Sequence, residues 1–180
     1  MSYLDRVLEI MRVVSLYLSR LAGFAVLLVV AMVTTEVVSR SLVGRSIGFS
    51  TEISGYILAL CVTWPLAHVL HRKGHIRIDV VYTLVPQFVK ALLDIFALII
   101  VAGISYLLVN ASMDLVAVTY VQGDIANTTL ETPLWFPQVM WAFGFAWFGM
   151  NVAVLMLRAI IHLLAGNYDK INYLIGFEEN

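Results

Sequence analysis

The sequence predicts an all-α integral membrane protein with four transmembrane helices and both termini cytoplasmic. Three observations predict it. The chain is 61% hydrophobic and only 13% charged over 180 residues, with a mean hydropathy of +0.91, so one water-soluble core would leave large apolar patches exposed. Four apolar runs have the roughly 20 residues that a helix needs to cross about 30 Å of hydrocarbon. Basic residues cluster on one side of those runs.

The first run, Val13 to Val38, has the uncharged centre LAGFAVLLVVAMV. Asp5, Arg6, Glu9, Arg12 and Arg20 precede it and no small-residue cleavage pattern follows, so it is expected to be a retained helix rather than a leader. The second, Ile53 to Leu70, opens with Ser50 and Glu52 as a cap and a first-turn acid. Pro65 lies inside it and is expected to kink it. The third begins near Val89, is read as free of charge from Ile95 to Met113, and stays apolar through LVAVTYV to residue 121. The fourth, Leu134 to Leu157, is entered through Thr132 and Pro133, read as an N-cap and first-turn pair. The expected spans are therefore 13–38, 53–70, 89–121 and 134–157 in a single membrane domain, residues 1–180. Mixed charged and apolar residues near both ends allow short amphipathic surface helices.

Orientation follows from the flanks. Of the 11 lysines and arginines, nine fall in the N-terminal segment, the second connection and the tail. Arg40 and Arg45 fall in the first connection, and the third, GDIANTTLETP, has none. The basic side is expected to be cytoplasmic. Arg40, Arg45, Asp124 and Glu131 then face outward.

Candidate chemistry is sparse. No phosphate-cradling glycine loop occurs, and the 12 acidic residues against 11 basic ones exert no general pull on nucleic acid. Cys61, the lone cysteine, is read as packing. No catalytic residue is assigned, and the chain is expected not to be an enzyme. His71 and His75 have a metal-compatible spacing, but Gly74 between them favours a turn. His68 and His162 end the second and fourth runs on the same side, the basis for an alternative reading as a haem-binding membrane anchor of a respiratory oxidoreductase. A mid-membrane carboxylate, the mark of an ion or proton path, is expected to be lacking. Arg20 and Asp94 are read as an inter-helix clamp. Ala142, Ala146, Gly149 and Ala153 form a seam of small side chains along the fourth run, suited to close helix packing.

The most distinctive stretch is HRKGHIRID, His71 to Asp79. With its surroundings, RSIGFSTEISGYILALCVTWPLAHVLHRKGHIRIDVVYTLVP, it resembles the signature region of the small, DctQ-type membrane subunit of tripartite ATP-independent periplasmic (TRAP) transporters. Glu52 at the helix entry, the elbow Arg72, Lys73, Gly74, His75, Arg77 and Asp79, and Pro86 beyond it carry the match. TPLWFPQVMWAFGFAWFGMNVAVLMLRAI is similar to that family's last helix. The family commonly has a tryptophan and two adjacent acids before its second helix, where this chain has Phe49, Ser50, Thr51 and Glu52. The resemblance implies a non-catalytic scaffold in the cell's inner membrane, without cofactor of its own. It implies as partners a large membrane subunit (M type) that carries substrate and sodium, and a periplasmic substrate-binding protein (P type) that delivers an organic acid or similar solute, alongside membrane lipid.

Overall fold

The computed structural model describes residues 3–44, 48–72, 86–128 and 130–166. Five helices occupy them: α1 (Tyr3–Val43), α2 (Ser50–Thr63), α3 (Leu66–His71), α4 (Gln87–Gln122) and α5 (Trp135–Leu164). Among the described residues no strand forms beyond one isolated antiparallel bridge, Ile125 to Pro133. Four segments are long and apolar enough to cross a membrane: Leu4–Leu42, Ser50–His71, Phe88–Gln122 and Trp135–Leu164.

Pro65 interrupts the second of these. It offers no N–H to the preceding turn, so α2 stops at Thr63 and α3 starts at Leu66. Trp64 and Pro65 nevertheless keep near-helical dihedrals (φ −67°, ψ −36° and φ −74°, ψ −15°). The two helices thus make one interrupted span rather than two. At the far end of α4, Gly123 adopts φ +68°, and its N–H and that of Asp124 both return to the Thr119 carbonyl (3.0 and 3.2 Å). A side chain would strain that left-handed cap, and glycine relieves it.

The caps read from sequence serve other purposes. Ser50 is already inside α2, whose N-cap is Phe49. The last helix starts at Trp135 with Leu134 as N-cap and no side-chain cap bond. Thr132 is instead turned toward Glu52.

α5 is the hub. It packs along α4 and also touches α1, α2 and α3, while α1 lies chiefly against α2 and α3. Its inward residues Phe145, Phe148, Val152, Leu155 and Ala159 alternate by three and four, the spacing that keeps one helix face on its neighbour. On α4 the buried positions are Ala91, Asp94, Leu98, Ser105, Ser112 and Thr119, each 3% exposed or less; all but Asp94 fall on a seven-residue repeat of mostly small side chains. The core cluster joins Leu8 of α1, Ala67 of α3, Ala91 and Leu98 of α4, and Ala159 of α5. The start of α1 and the end of α5 therefore share one end of the bundle, called here the termini end. The turns α1–α2 and α4–α5 occupy the other, the loop end.

Candidate functional site

Polar side chains fasten the helices at successive heights. Near the loop end, the Ser50 hydroxyl donates to Glu36 of α1. Two residues on, Glu52 accepts from the Thr128 hydroxyl and, at 2.7 Å, from Tyr56 one turn further along α2. Thr132 adds hydrogen bonds from both its side chain and its backbone. Glu36 and Glu52 are buried, 8% and 7% exposed, and a buried carboxylate is tolerable only with donors of this kind around it. Glu52 thereby ties the α4–α5 turn to the start of α2.

Midway, the Cys61 thiol approaches the Ala22 carbonyl of α1 (3.3 Å) and the Trp64 indole donates to the Met140 carbonyl of α5 (3.0 Å). Two glycines of α5 let neighbouring helices come close. A Cβ at Gly144 would stand 2.6 Å from Thr63 of α2, and one at Gly149 would stand 2.9 Å from the Ser105 hydroxyl of α4.

Toward the termini end runs a chain of four side chains. His71 Nε2 donates to Asn151 Oδ1 (2.7 Å), and Asn151 Nδ2 donates to the Trp147 carbonyl (2.7 Å). The Trp147 indole donates to Ser15 Oγ (2.9 Å), which donates to the Met11 carbonyl (2.7 Å). Asn151 and Ser15 are fully buried. An amide has two donors and an acceptor to satisfy, and its partners here come from α3 and α5. At the bundle's very end Arg158 of α5 pairs with Asp5 of α1.

The residues singled out in the sequence distribute as follows. Arg72 caps α3 and is exposed, and Pro86 is the extended residue before α4 (φ −67°, ψ 158°). Lys73, Gly74, His75, Arg77 and Asp79 lie outside the described residues, as does Arg45. Arg40, Asp124 and Glu131 are exposed near the loop end, Glu131 with φ +49°. The small seam divides: Ala142 is buried and Gly149 faces α4, whereas Ala146 and Ala153 lie on the outer surface. Arg20 is exposed on α1, whereas Asp94 is buried on α4, 1% exposed. An inter-helix ion pair joins Asp5 of α1 and Arg158 of α5.

Three features escaped the sequence reading. Asn151 and Ser15 are polar residues on otherwise apolar faces, and their inward positions at helical spacing are the signal that finds them. The α4 seam was legible as a seven-residue repeat. Asp114 corrects the reading of the third run most directly, because a carboxylate does stand inside it, exposed on Phe88–Gln122. Among the described residues no three His, Cys, Asp or Glu side chains gather as a metal site.

Four membrane-length segments, three of them joined by hydrogen bonds and α4 packed along α5, make a multi-pass α-helical membrane protein. A family model for the DctQ component of tripartite ATP-independent periplasmic transporters matches residues 29–164. That match takes in most of the chain, which belongs to this family and is a transporter component. No curated protein and no solved structure matches it. The comparisons give the haem-anchor alternative no support.

Proposed function

We propose that this chain is the non-catalytic scaffold subunit of a sodium-coupled, binding-protein-dependent secondary transporter in the inner membrane. It braces a large membrane subunit that binds sodium and carries an organic acid or similar small solute. The observation that supports bracing most directly is the use made of the interior. Polar side chains there join α1, α2, α3 and α5 to one another, at Cys61, Trp64, His71, Trp147 and Asn151. Such contacts hold helices in register against sliding.

The basic flanks, nine residues against two, favour both termini in the cytoplasm. Arg40, Arg45, Asp124 and Glu131 then face the periplasm, where the substrate-binding protein docks. The basic residues in the stretch 72–79 are among the flanking charges that favour this orientation. Sodium and substrate belong to the large subunit.

Uptake assays test the reading. Cells or proteoliposomes with this chain alone transport nothing, and sodium-driven uptake appears when the large subunit and binding protein are added. Equal uptake by the large subunit and binding protein without this chain would overturn the scaffold role.

A further inference from the structure

We propose that the outer face of α4 around Asp114 and Asn110 is where a transmembrane helix of the large membrane subunit docks, supplying a basic or other hydrogen-donating side chain to the Asp114 carboxylate. This rests on the reading that the chain assembles with such a subunit.

Direction comes first. The buried seam of α4 passes through Ser105, Ser112 and Thr119. At about 100° per residue, Asp114 lies about 200° and Asn110 about 160° from Ser112, so both point directly away from the chain's own bundle. Both are exposed, as are Gly103, Tyr106 and Ala117 on the same side. Nothing lies within 4 Å of a Cβ built on Gly103. The stripe is thus open and partly lined by small residues, a surface onto which another helix backbone can come close.

Depth comes second. Asp114 lies eight positions before Gln122, the last of α4, about 12 Å from that end; the 36 residues of α4 span about 54 Å against about 30 Å of hydrocarbon, so on a centred helix Asp114 sits at the loop-end edge of the apolar core. Apolar residues flank it on both sides.

Chemistry comes third. Exposed hydroxyls elsewhere are satisfied by their own helix: Thr34 and Thr35 donate to the Val30 and Ala31 carbonyls at 2.7 and 2.8 Å. A carboxylate only accepts, and within a helix the backbone N–H groups past the first turn are already engaged. Asp114 cannot satisfy itself in that way, and among the described residues it has no hydrogen-bond or ion-pair partner. Asn110 spends an Nδ2 proton on the Tyr106 carbonyl (2.7 Å) and keeps its Oδ1 as a second outward acceptor. Two acceptors one turn apart, at the edge of the apolar core, suit a neighbouring helix that brings a donor to them. A second copy of this chain meeting α4 across a two-fold axis would set acid near acid, so charge complementarity favours a different helix.

The test uses the complex of this chain with its large membrane subunit, purified from membranes. A photoreactive residue is placed at Leu107 or Asn110 on the outer face of α4, and in parallel at Leu27 of α1 and Phe143 of α5, all of them exposed. The α4 positions are expected to cross-link to the large subunit. Asp114→Leu is expected to lower its co-purification roughly tenfold, with Asp114→Asn falling between. The helical spectrum and melting of the isolated chain stay unchanged, because Asp114 is exposed and has no hydrogen bond or ion pair among the described residues. Cross-links from α1 or α5 but not α4, self-cross-links of α4, or full retention with Asp114→Leu would each overturn the docking face while leaving the partnership intact. Absence of any large subunit with the unmodified chain would overturn both.

Discussion

Gly144→Ala isolates the closest approach between two helices. The added Cβ would lie 2.6 Å from Thr63 Cβ and Oγ1 and 3.0 Å from its carbonyl carbon. Non-bonded carbons settle at about 3.5–4.0 Å, so the overlap is about an ångström. No rotamer change removes it, because Cβ and the carbonyl carbon move only with the backbone. Thr63 is fully buried, and its hydroxyl is held to the Ala59 carbonyl at 3.1 Å. α2 and α5 must therefore separate, stretching the neighbouring bond from Trp64 to the Met140 carbonyl. Overpacking of this kind costs about 1–3 kcal/mol, and the better helix propensity of alanine returns up to about 1 kcal/mol. The net loss is therefore up to about 3 kcal/mol. Gly55→Ala supplies the control, since nothing lies within 4 Å of its added Cβ; it is expected to be neutral or stabilising by up to about 1 kcal/mol. Denaturant titration of the purified chain in mixed micelles, followed by tryptophan fluorescence, reads both. Thr63→Gly should recover stability in the Gly144→Ala background and lose it in the parent. If Gly144→Ala and Gly55→Ala shift the midpoint equally in the same direction, the close approach is not a constraint and the reasoning fails.

Asn151→Leu removes the partner of His71 and is expected to cost about 0.6 kcal/mol and at most about 1.7 in the same titration, the average and upper values for hydrogen bonds between membrane helices; a double-mutant cycle with His71→Phe should show the two effects sharing that energy. Trp147→Phe keeps the ring but loses the donor to Ser15, for a loss in the same range that Ser15→Ala does not add to. Glu52→Ala frees the Thr128 and Thr132 hydroxyls and should raise hydrogen exchange in residues 125–134 severalfold, leaving exchange at the core end of α5 unchanged. Arg158→Ala should cost less than about 1 kcal/mol, because the Asp5–Arg158 pair is 20–25% exposed and water screens it; a larger loss that persists in high salt would contradict this.

The spans were legible because membrane insertion is a one-dimensional rule: length and mean hydropathy suffice, and both can be counted along the chain. The break at Pro65 was legible for the same reason, since a missing N–H acts locally whatever surrounds it. Helix orientation about its own axis was not. Apolar residues cover all sides of a membrane helix, so the difference between a lipid face and a protein face is small in hydropathy and shows mainly in side-chain size. That is why the seam on α5 was expected through Ala146 and Ala153, while the buried line runs through Phe145, Phe148 and Val152. Pairings across helices were harder still. Arg20 and Asp94 were matched by charge and rough depth alone, and the Asp5–Arg158 pair between α1 and α5 was not foreseen, because it depends on which helix ends meet. Asp114 was passed over because one acid among some thirty residues barely lowers the average of an apolar run, although its energetic meaning depends on that single group.

Rigidity follows from where the fastenings lie along α5. Met140, Gly144, Trp147, Gly149, Asn151 and Arg158 engage, in turn, α2's end at Trp64, Thr63, Ser15 of α1, Ser105 of α4, His71 of α3 and Asp5 of α1. Each contact fixes one neighbour at one height. Sliding a neighbour along α5 by a single turn, 5.4 Å, would carry donor and acceptor out of reach at its own contact, and at Gly144 and Gly149 would drive larger side chains into the glycine gaps. No smooth path connects the two registers, because an intermediate shift loses the hydrogen bond before any new one forms, and hydrocarbon offers no water to replace it. A bundle held in this way resists shear as one body, which is the property the proposed scaffold role requires.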